Sequence, residues 1–381
     1  MGNKIKTVIA SVLKPVDDTR MYEKFGLSLQ QTNRYAVNII GFVSKNPPKQ
    51  RDIIFYPIFS FENNSWKRFF ASFLFGKYLF KINPSLVIVT TFELLPVSIF
   101  YKLLNNKIEL MYDVSENYAL NYLTNRRPGY VNKIIAKTIR LIEKNSQNYI
   151  SLNILAETEY AKEMKFFSKP YIYILNKYKA IQVKKLSLPS EVIDRAKNSS
   201  PLLIFTGTIS ENYGIYEALD LAKSLRQDFP DILLILAGHV TNTKLLSYLL
   251  NLEKEDFHLL TYVDKDPIPH MDIIKLIKLA DFGLVAHRPV ESIKNCFPTR
   301  IYEYMAHKKP FILQDHTYWT SYCKPWKCSI NIDFKNFDSH FVAQQMKSSQ
   351  FYPNGNPDNI YWNTEETKLI QAVDDVFAIK N

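Results

Sequence analysis

The stretch LLIFTGTISENYGIYEALDLAKSLRQDFPDILLILAGH, residues 202–239, gives the clearest indication of the fold. Two short apolar runs, Leu202–Phe205 and Ile232–Ala237, flank a helical pattern from about Tyr213 to Phe229. Continuous apolar runs of this length are typical of parallel strands that are buried on both faces, with crossover helices between them. Residues 202–239 therefore predict one β-α-β unit of a doubly wound α/β domain.

The same alternation of strands and helices runs along the whole 381-residue chain. Further strands are predicted at residues 6–13, 35–43, 52–56, 86–90, 108–114, 149–152, 258–262, 281–286, 310–314 and 328–332. Helices are predicted in the first half near residues 20–34, 65–82, 93–105, 130–146 and 155–166.

Chain length predicts two domains, because a single hydrophobic core rarely grows beyond about 250–300 residues. The polar segment 183–200 marks the junction. We expect a Rossmann-like N-terminal domain over residues 1–182, a second over 183–363, and a C-terminal helix over 364–381 that can pack back on the first domain. Ligands of such sheets bind at the carboxyl ends of the strands, so the expected site is a cleft across which the two domains face each other.

Composition excludes several classes of protein. A hydrophobic fraction of 46% and a charged fraction of 22% are typical of a globular protein. The three cysteines suit neither a disulfide framework nor a zinc site, and no signal-peptide cleavage site is evident, so a cytoplasmic protein is expected. The net charge is +11, but the basic residues are scattered without a recognition motif, which argues against nucleic acid as a partner.

Residues 66–80, WKRFFASFLFGKYLF, combine aromatic and basic side chains. The run is too short and too charged to span a bilayer, which takes about 20 apolar residues. One interpretation is a core helix with a solvated basic end, and the other is a helix that lies on a membrane surface. The second interpretation would place the protein at the inner face of the membrane.

The most informative motif is NCFPTRIYEYMAHKKP, residues 295–310. Pro298 suits the start of a helix, and Glu303 then lies near its positive end. A carboxylate there can accept both hydroxyls of a ribose, while the free N–H groups of the helix start face an anion. The alternative is an amphipathic helix with Glu303 in solvent.

This motif resembles the donor-binding signature of GT-B glycosyltransferases of family four (group 1). The resemblance implies an enzyme that transfers a sugar from a nucleotide-sugar donor, with Glu303 holding the ribose and without a metal or other cofactor. The family has a second Glu eight positions earlier, where this chain has Asn295.

The turn TGTISENYG, residues 206–214, resembles the glycine turn of the same family. The family has a Lys that touches the diphosphate where this chain has Tyr213. Because a phosphate group in a site needs cations, Arg288 and Arg300 are predicted to supply them, with surface arginines as the alternative. The donor-binding residues predicted on this basis are Gly207, Thr208, Gly238, His239, Arg288, Asn295, Phe297, Pro298, Thr299, Arg300 and Glu303.

The acceptor side is predicted in the first domain. Asp18 and Arg20 follow the first strand, as the resemblance implies for an acceptor loop. Arg20 is predicted to be catalytic and Asp18 to bind the acceptor, although Asp18 would also cap a helix. Asp113 and Glu116 follow a later strand, and either can act as general base, with Tyr118 beside them to bind acceptor. The alternative for both carboxylates is a cap or an ion pair.

A UDP- or GDP-sugar is favoured as donor, with a glycan, a lipid-linked molecule or another hydroxyl compound as acceptor. A CMP-activated acidic sugar is the alternative donor, since fewer cations suit a smaller phosphate charge. Two further alternatives remain: a sugar-nucleotide epimerase or phosphorylase of the same architecture, and a non-catalytic nucleotide- or glycan-binding protein.

Overall fold

The computed structural model describes residues 4–44, 52–60, 68–124, 129–167, 170–180 and 188–378. The chain divides into two compact units. Unit 1 comprises Met1–Lys179 and Trp362–Asn381, and unit 2 comprises Ala180–Tyr361.

Unit 1 is built on a parallel sheet of seven strands in the order β3-β2-β1-β4-β5-β6-β7. The strands are β1 (Ile5–Pro15), β2 (Tyr35–Phe42), β3 (Ile53–Phe59), β4 (Leu86–Val89), β5 (Glu109–Val114), β6 (Leu152–Leu155) and β7 (Tyr171–Tyr173). The chain moves outward from β1 to β3 and then returns to β4 on the other side of β1. The sheet therefore has a topological switch point between β1 and β4, where ligands of doubly wound sheets bind.

The helices of unit 1 are α1 (Leu27–Gln31), α2 (Arg68–Ile82), α3 (Leu95–Leu104), α4 (Tyr118–Thr124), α5 (Tyr130–Ser146) and α6 (Tyr160–Glu163). The helix predicted at residues 20–34 is instead a π-helix, Thr19–Gly26, that runs into α1. Its buried side chains recur four residues apart, as Arg20 with Lys24 and Met21 with Phe25. The wider turn of a π-helix keeps such pairs on one face.

Two predicted boundaries in unit 1 are wrong. The strand predicted at residues 149–152 is β6, which begins at Leu152, the residue that pairs with Met111 of β5. The four residues of β6 are all buried, whereas Tyr149 is exposed. The helix predicted over residues 155–166 is reduced to the single turn of α6.

Unit 2 has a six-stranded parallel sheet in the order β10-β9-β8-β11-β12-β13. Its strands are β8 (Leu202–Thr208), β9 (Leu233–His239), β10 (Leu259–Asp264), β11 (Phe282–Val285), β12 (Phe311–Gln314) and β13 (Ser329–Ile332). Its helices are α7 (Ser190–Lys197), α8 (Ile215–Ser224), α9 (Thr243–Glu255), α10 (His270–Leu279), α11 (Thr299–Ala306), α12 (Thr317–Cys323) and α13 (Ser339–Ser348). The predicted α/β class with two doubly wound sheets is confirmed.

The polar segment 183–200 is not a linker throughout. Residues 181–187 lie outside the described residues, but α7 forms a helix that buries Val192 and Ala196. These two residues are four positions apart, so one apolar stripe anchors an otherwise polar helix to unit 2.

The last helix, α14 (Asn363–Ala378), belongs to unit 1. Leu369 and Val373 are fully buried in the unit 1 core, where Trp362 stacks on Phe25 at a centroid distance of 6.1 Å. Glu365 is also buried, and its carboxylate accepts from Leu175 N at 2.9 Å and pairs with Lys177 at 2.8 Å. Apolar packing and a buried ion pair thus hold this helix on unit 1.

Candidate functional site

The carboxyl ends of the paired strands β8 and β9, where the glycine turn begins, lie so close together that only glycine fits. Gly207 pairs with Gly238 in register, and Gly207 has a φ of 85°. A Cβ on Gly238 would lie 1.8 Å from the carbonyl oxygen of Gly207. Thr208 Oγ1 and His239 Nε2 lie 3.4 Å apart at the same edge. The structure thus brings these four predicted donor-binding residues together, with backbone that a ligand can approach closely.

Arg300 reaches this turn from the first turn of α11. Its Nη2 lies 3.4 Å from the carbonyl oxygen of Thr208 and 3.5 Å from the position of a Cβ on Gly207. The guanidinium carbon lies 4.7 Å from the ring centroid of Phe205 and 5.8 Å from that of Tyr213. The prediction from the sequence placed Arg300 at the helix start, and the structure places its charge beside the glycine turn.

Arg300 forms no ion pair with a carboxylate among the described residues. Its Nη1 is buried and has no hydrogen-bond partner in that part of the chain. Burial lowers the pKa of Arg300, while Tyr304, Tyr213 and Glu303 raise it. An arginine stays charged in proteins, and a buried charge without a partner is costly. The arrangement is therefore suited to an anion.

Arg288, the other predicted cation, is already paired. Its Nε donates to Glu217 Oε1 at 2.5 Å, and its Nη1 donates to Glu211 Oε1 at 2.7 Å. These ion pairs raise the pKa of Arg288 against the opposing effect of burial. The two predicted cations thus differ, because Arg288 has two carboxylate partners.

Glu303 contacts a histidine that the sequence analysis did not select. His270 Nε2 and Glu303 Oε1 are 3.1 Å apart, and both side chains are largely buried. His270 is the first residue of α10, and it meets α11 only through the fold. No spacing or motif in the sequence could have identified this contact, which orients the carboxylate predicted to hold the ribose.

A second missed residue, His287, follows β11 directly. Its ring is buried, with Nδ1 lacking a hydrogen-bond partner among the described residues. Burial and then the charge of Arg300 hold the pKa of His287 well below its usual range, so the ring is neutral at physiological pH. The ring packs edge-on against Tyr213 at 4.7 Å and Trp319 at 5.8 Å. In the sequence, only the position of this histidine directly after a predicted strand could have indicated it.

The segment that precedes Glu303 packs against neighbouring aromatic rings. Phe297 is buried, and its ring lies 4.7 Å from Tyr302 and 4.8 Å from Tyr322. Pro298 occupies the N-cap of α11, one position earlier than the first helical residue, Thr299. Asn295 lies in the turn that precedes them.

In unit 1, the structure joins two of the predicted catalytic residues as a buried ion pair. Arg20 Nε donates to Asp113 Oδ2 at 2.8 Å, and Arg20 Nη2 donates to Asp113 Oδ1 at 2.6 Å. Asp113 is fully buried and Arg20 is nearly so. Both oxygens of Asp113 are therefore occupied by one planar guanidinium.

Three further predicted residues of unit 1 have different surroundings. Glu116 is 38% exposed in its side chain, and it contacts Lys14 Nζ at 3.2 Å. Asp18 caps the π-helix, because its side chain accepts from the backbone N–H groups of Arg20 and Met21. Tyr118 is buried, and its hydroxyl donates to the carbonyl of Thr90 at 2.8 Å. Asp18 and Glu116 are both partly exposed, but the carboxylate of Asp18 is engaged as the cap of the π-helix.

Comparison with known proteins identifies unit 2. Residues 191–343 match the family model described as glycosyl transferases group 1. These residues contain the glycine turn, Arg300 and Glu303 described above. Residues 191–343 are a glycosyl transferases group 1 domain. The family predicted from the motif at residues 295–310 is confirmed in this domain, and so is a glycosyltransferase as the class of enzyme.

Solved structures extend the similarity of fold beyond the group 1 domain. Sucrose-phosphate synthase from Thermosynechococcus elongatus has a TM-score of 0.69 and 14% identity, and the match covers 99% of this chain and 100% of that one. HepE from Anabaena in complex with UDP-glucose has a TM-score of 0.64 and 14% identity, with 97% and 100% covered. The catalytic domain of starch synthase IV from Arabidopsis thaliana, bound to ADP and acarbose, has a TM-score of 0.62 and 11% identity, with 99% and 100% covered. No curated protein matches the chain in sequence.

Within the described residues, no group of three or more His, Cys, Asp or Glu side chains is placed so that it could hold a metal ion. Among the same residues, no helix is both long enough and apolar enough to cross a bilayer.

Proposed function

We propose that this glycosyltransferase takes its sugar from a nucleoside-diphosphate donor bound on the group 1 domain. The observation that carries the proposal is the buried guanidinium of Arg300, which lies against the glycine turn without a carboxylate partner among the described residues. A diphosphate would supply the missing negative charge. HepE in its complexes with UDP-glucose and UDP, and starch synthase IV with ADP, have the same fold and carry such ligands.

The proposed site binds the two parts of the nucleotide with different groups. Glu303 accepts from the ribose hydroxyls, and His270 keeps its carboxylate oriented at 3.1 Å. The planar fork of Arg300 and the backbone N–H groups of the glycine turn bind the phosphates. These donors act where charge develops as the sugar leaves, which is usually the largest contribution to transfer catalysis. We propose that this cation serves the leaving group without a metal.

We further propose Glu116 as the general base that activates the acceptor hydroxyl. Its carboxylate is partly exposed, whereas both oxygens of Asp113 are held by Arg20. A base must come within hydrogen-bond distance of the proton that it takes, which a fully buried, doubly paired carboxylate does not do. Asp113 and Arg20 then position the end of β5 and the π-helix.

Calorimetry with nucleoside and nucleotide pairs tests the donor proposal. UDP, GDP and ADP are compared with their nucleosides and with CMP, in buffer that contains a chelator. For the preferred base, Arg300→Gln should weaken the diphosphate by about 10- to 100-fold, because charged hydrogen bonds contribute about 1.5–3 kcal/mol. The affinity for the nucleoside should stay unchanged.

Arg288→Gln is the matched control, since Arg288 is paired with Glu217 and Glu211. Arg288→Gln should leave the ratio of diphosphate affinity to nucleoside affinity at its wild-type value. The proposal is wrong if Arg300→Gln leaves that ratio unchanged, or if CMP binds at least about tenfold tighter than every diphosphate.

A further inference from the structure

The outer surface of unit 1 carries an apolar face on two neighbouring helices. On α2, Phe73 is 80% exposed and Phe80 is 52% exposed, and their spacing of seven residues puts them on one side of the helix. On α3, Leu103 and Leu104 are each 63% exposed and Phe100 is 55% exposed. Phe80 meets the buried Tyr101 of α3 edge-on at 5.1 Å, so the two helices pack side by side. We call these five exposed side chains the outer apolar face.

The outer apolar face is not needed for the core of unit 1. The opposite side of α2 already fills the core with the buried residues Ala71, Phe75 and Leu79. A helix that is apolar all round is normally covered on all sides, and soluble proteins seldom expose large contiguous apolar patches. The core-helix interpretation of residues 66–80 therefore fits one side of the described part of α2, and the membrane-surface interpretation is a hypothesis for the other side.

The charges on α2 and α3 favour an anionic partner for this face. Lys77 and Lys81 of α2 are exposed, and Lys77 lies between Phe73 and Phe80 on the same side. Lys107, just beyond the end of α3, is exposed as well. Neither α2 nor α3 contains an acidic residue. A second copy of the same face would bring lysines against lysines, which is unfavourable, whereas an anionic surface complements them.

We propose that α2 and α3 dock unit 1 on an anionic lipid bilayer. The aromatic and leucine side chains enter the boundary between headgroups and acyl chains, and the lysines extend to the anionic headgroups. The neighbouring helix α5 continues this composition. It exposes Ile134 and Leu141, and its one acidic residue, Glu143, is buried in an ion pair with Arg140. The inference is independent of the donor proposed above.

Co-sedimentation of the full chain with vesicles tests the inference. We expect binding to phosphatidylcholine vesicles that contain phosphatidylserine, and much weaker binding to phosphatidylcholine alone. Lys77→Ser with Lys81→Ser should weaken binding roughly fivefold per lysine and reduce its dependence on salt. Phe73→Ser with Phe100→Ser should weaken binding at least about tenfold, because two large apolar side chains no longer enter the bilayer.

Phe257→Ser is the matched control, because Phe257 is 77% exposed on unit 2. It should bind vesicles as the wild type does. Thermal unfolding and nucleotide affinity are measured for every variant to show that it is folded. Neither should change. Equal binding to neutral and anionic vesicles, or unchanged binding of both double variants, would overturn the inference. The inference would also be overturned if the wild type sediments as a dimer without lipid and either double variant is a monomer.

Discussion

Replacing Asp113 by Asn separates a structural role of this carboxylate from a catalytic one. Asp113 is fully buried, and its two oxygens receive hydrogen bonds of 2.8 and 2.6 Å from Arg20. The substitution removes the counter-charge and leaves the guanidinium in the interior. Breaking a buried pair in this way costs about 3–5 kcal/mol, a large part of the roughly 5–15 kcal/mol that stabilise a folded domain. We expect the free energy of unfolding of unit 1 to fall by about that amount.

Hydrogen exchange of β1 and β5 in urea measures this loss, since it resolves unit 1 from unit 2. The double variant Arg20→Met with Asp113→Leu removes both charges and should regain most of the stability. Glu116→Gln should keep wild-type stability and lower turnover by about 10²–10⁴-fold, as expected for a general base. A stable Asp113→Asn enzyme that loses turnover by such a factor would refute this reasoning and identify Asp113 as the base.

Three further outcomes follow from individual contacts. Glu303→Gln should weaken a nucleoside and its diphosphate equally, by about 1–3 kcal/mol in calorimetry, and a loss confined to the diphosphate would contradict ribose binding. Glu365→Gln leaves the buried Lys177 without its partner at 2.8 Å, so hydrogen exchange in α14 should accelerate; unchanged protection would show that the ion pair contributes nothing. Burial lowers the pKa of His307 to about 4. The unfolded chain takes up this proton near pH 6.5 and the folded chain does not, so stability should fall by about 1–2 kcal/mol between pH 7 and 5. His307→Gln should flatten that profile in urea titrations, and an unchanged profile would exclude His307 as its source.

The sheets could be predicted because their apolar runs are local in sequence. Leu202–Phe205 and Ile232–Ala237 fall within or next to β8 and β9, where every residue before the turn is buried. The π-helix could not be predicted in the same way. The π-helix contains Arg20, whose side chain contacts Asp113, 93 positions away in sequence. Tertiary contacts of this kind override local propensity.

The candidate site shows the same division between local and distant information. The positions of Gly207 at a strand end and of Glu303 near a helix start were predictable, because both features leave local patterns. His270 was not, since its contact with Glu303 joins two helices through the fold. The sequence offered both Arg288 and Arg300 as cations, and in the structure the carboxylates that surround Arg288 distinguish them.

Tyr213 and Arg300 are best understood together. The resembling enzymes have a Lys where this chain has Tyr213, beside the same turn. A second cation there would lie next to a buried guanidinium that has no carboxylate partner among the described residues, and like charges at short range in the interior repel strongly. Tyr213 instead offers its ring at 5.8 Å, within the range of a favourable cation–π contact. On the function proposed here, Arg300 of α11 supplies the cation for the leaving group, and the neutral ring of Tyr213 packs beside it without adding a second positive charge.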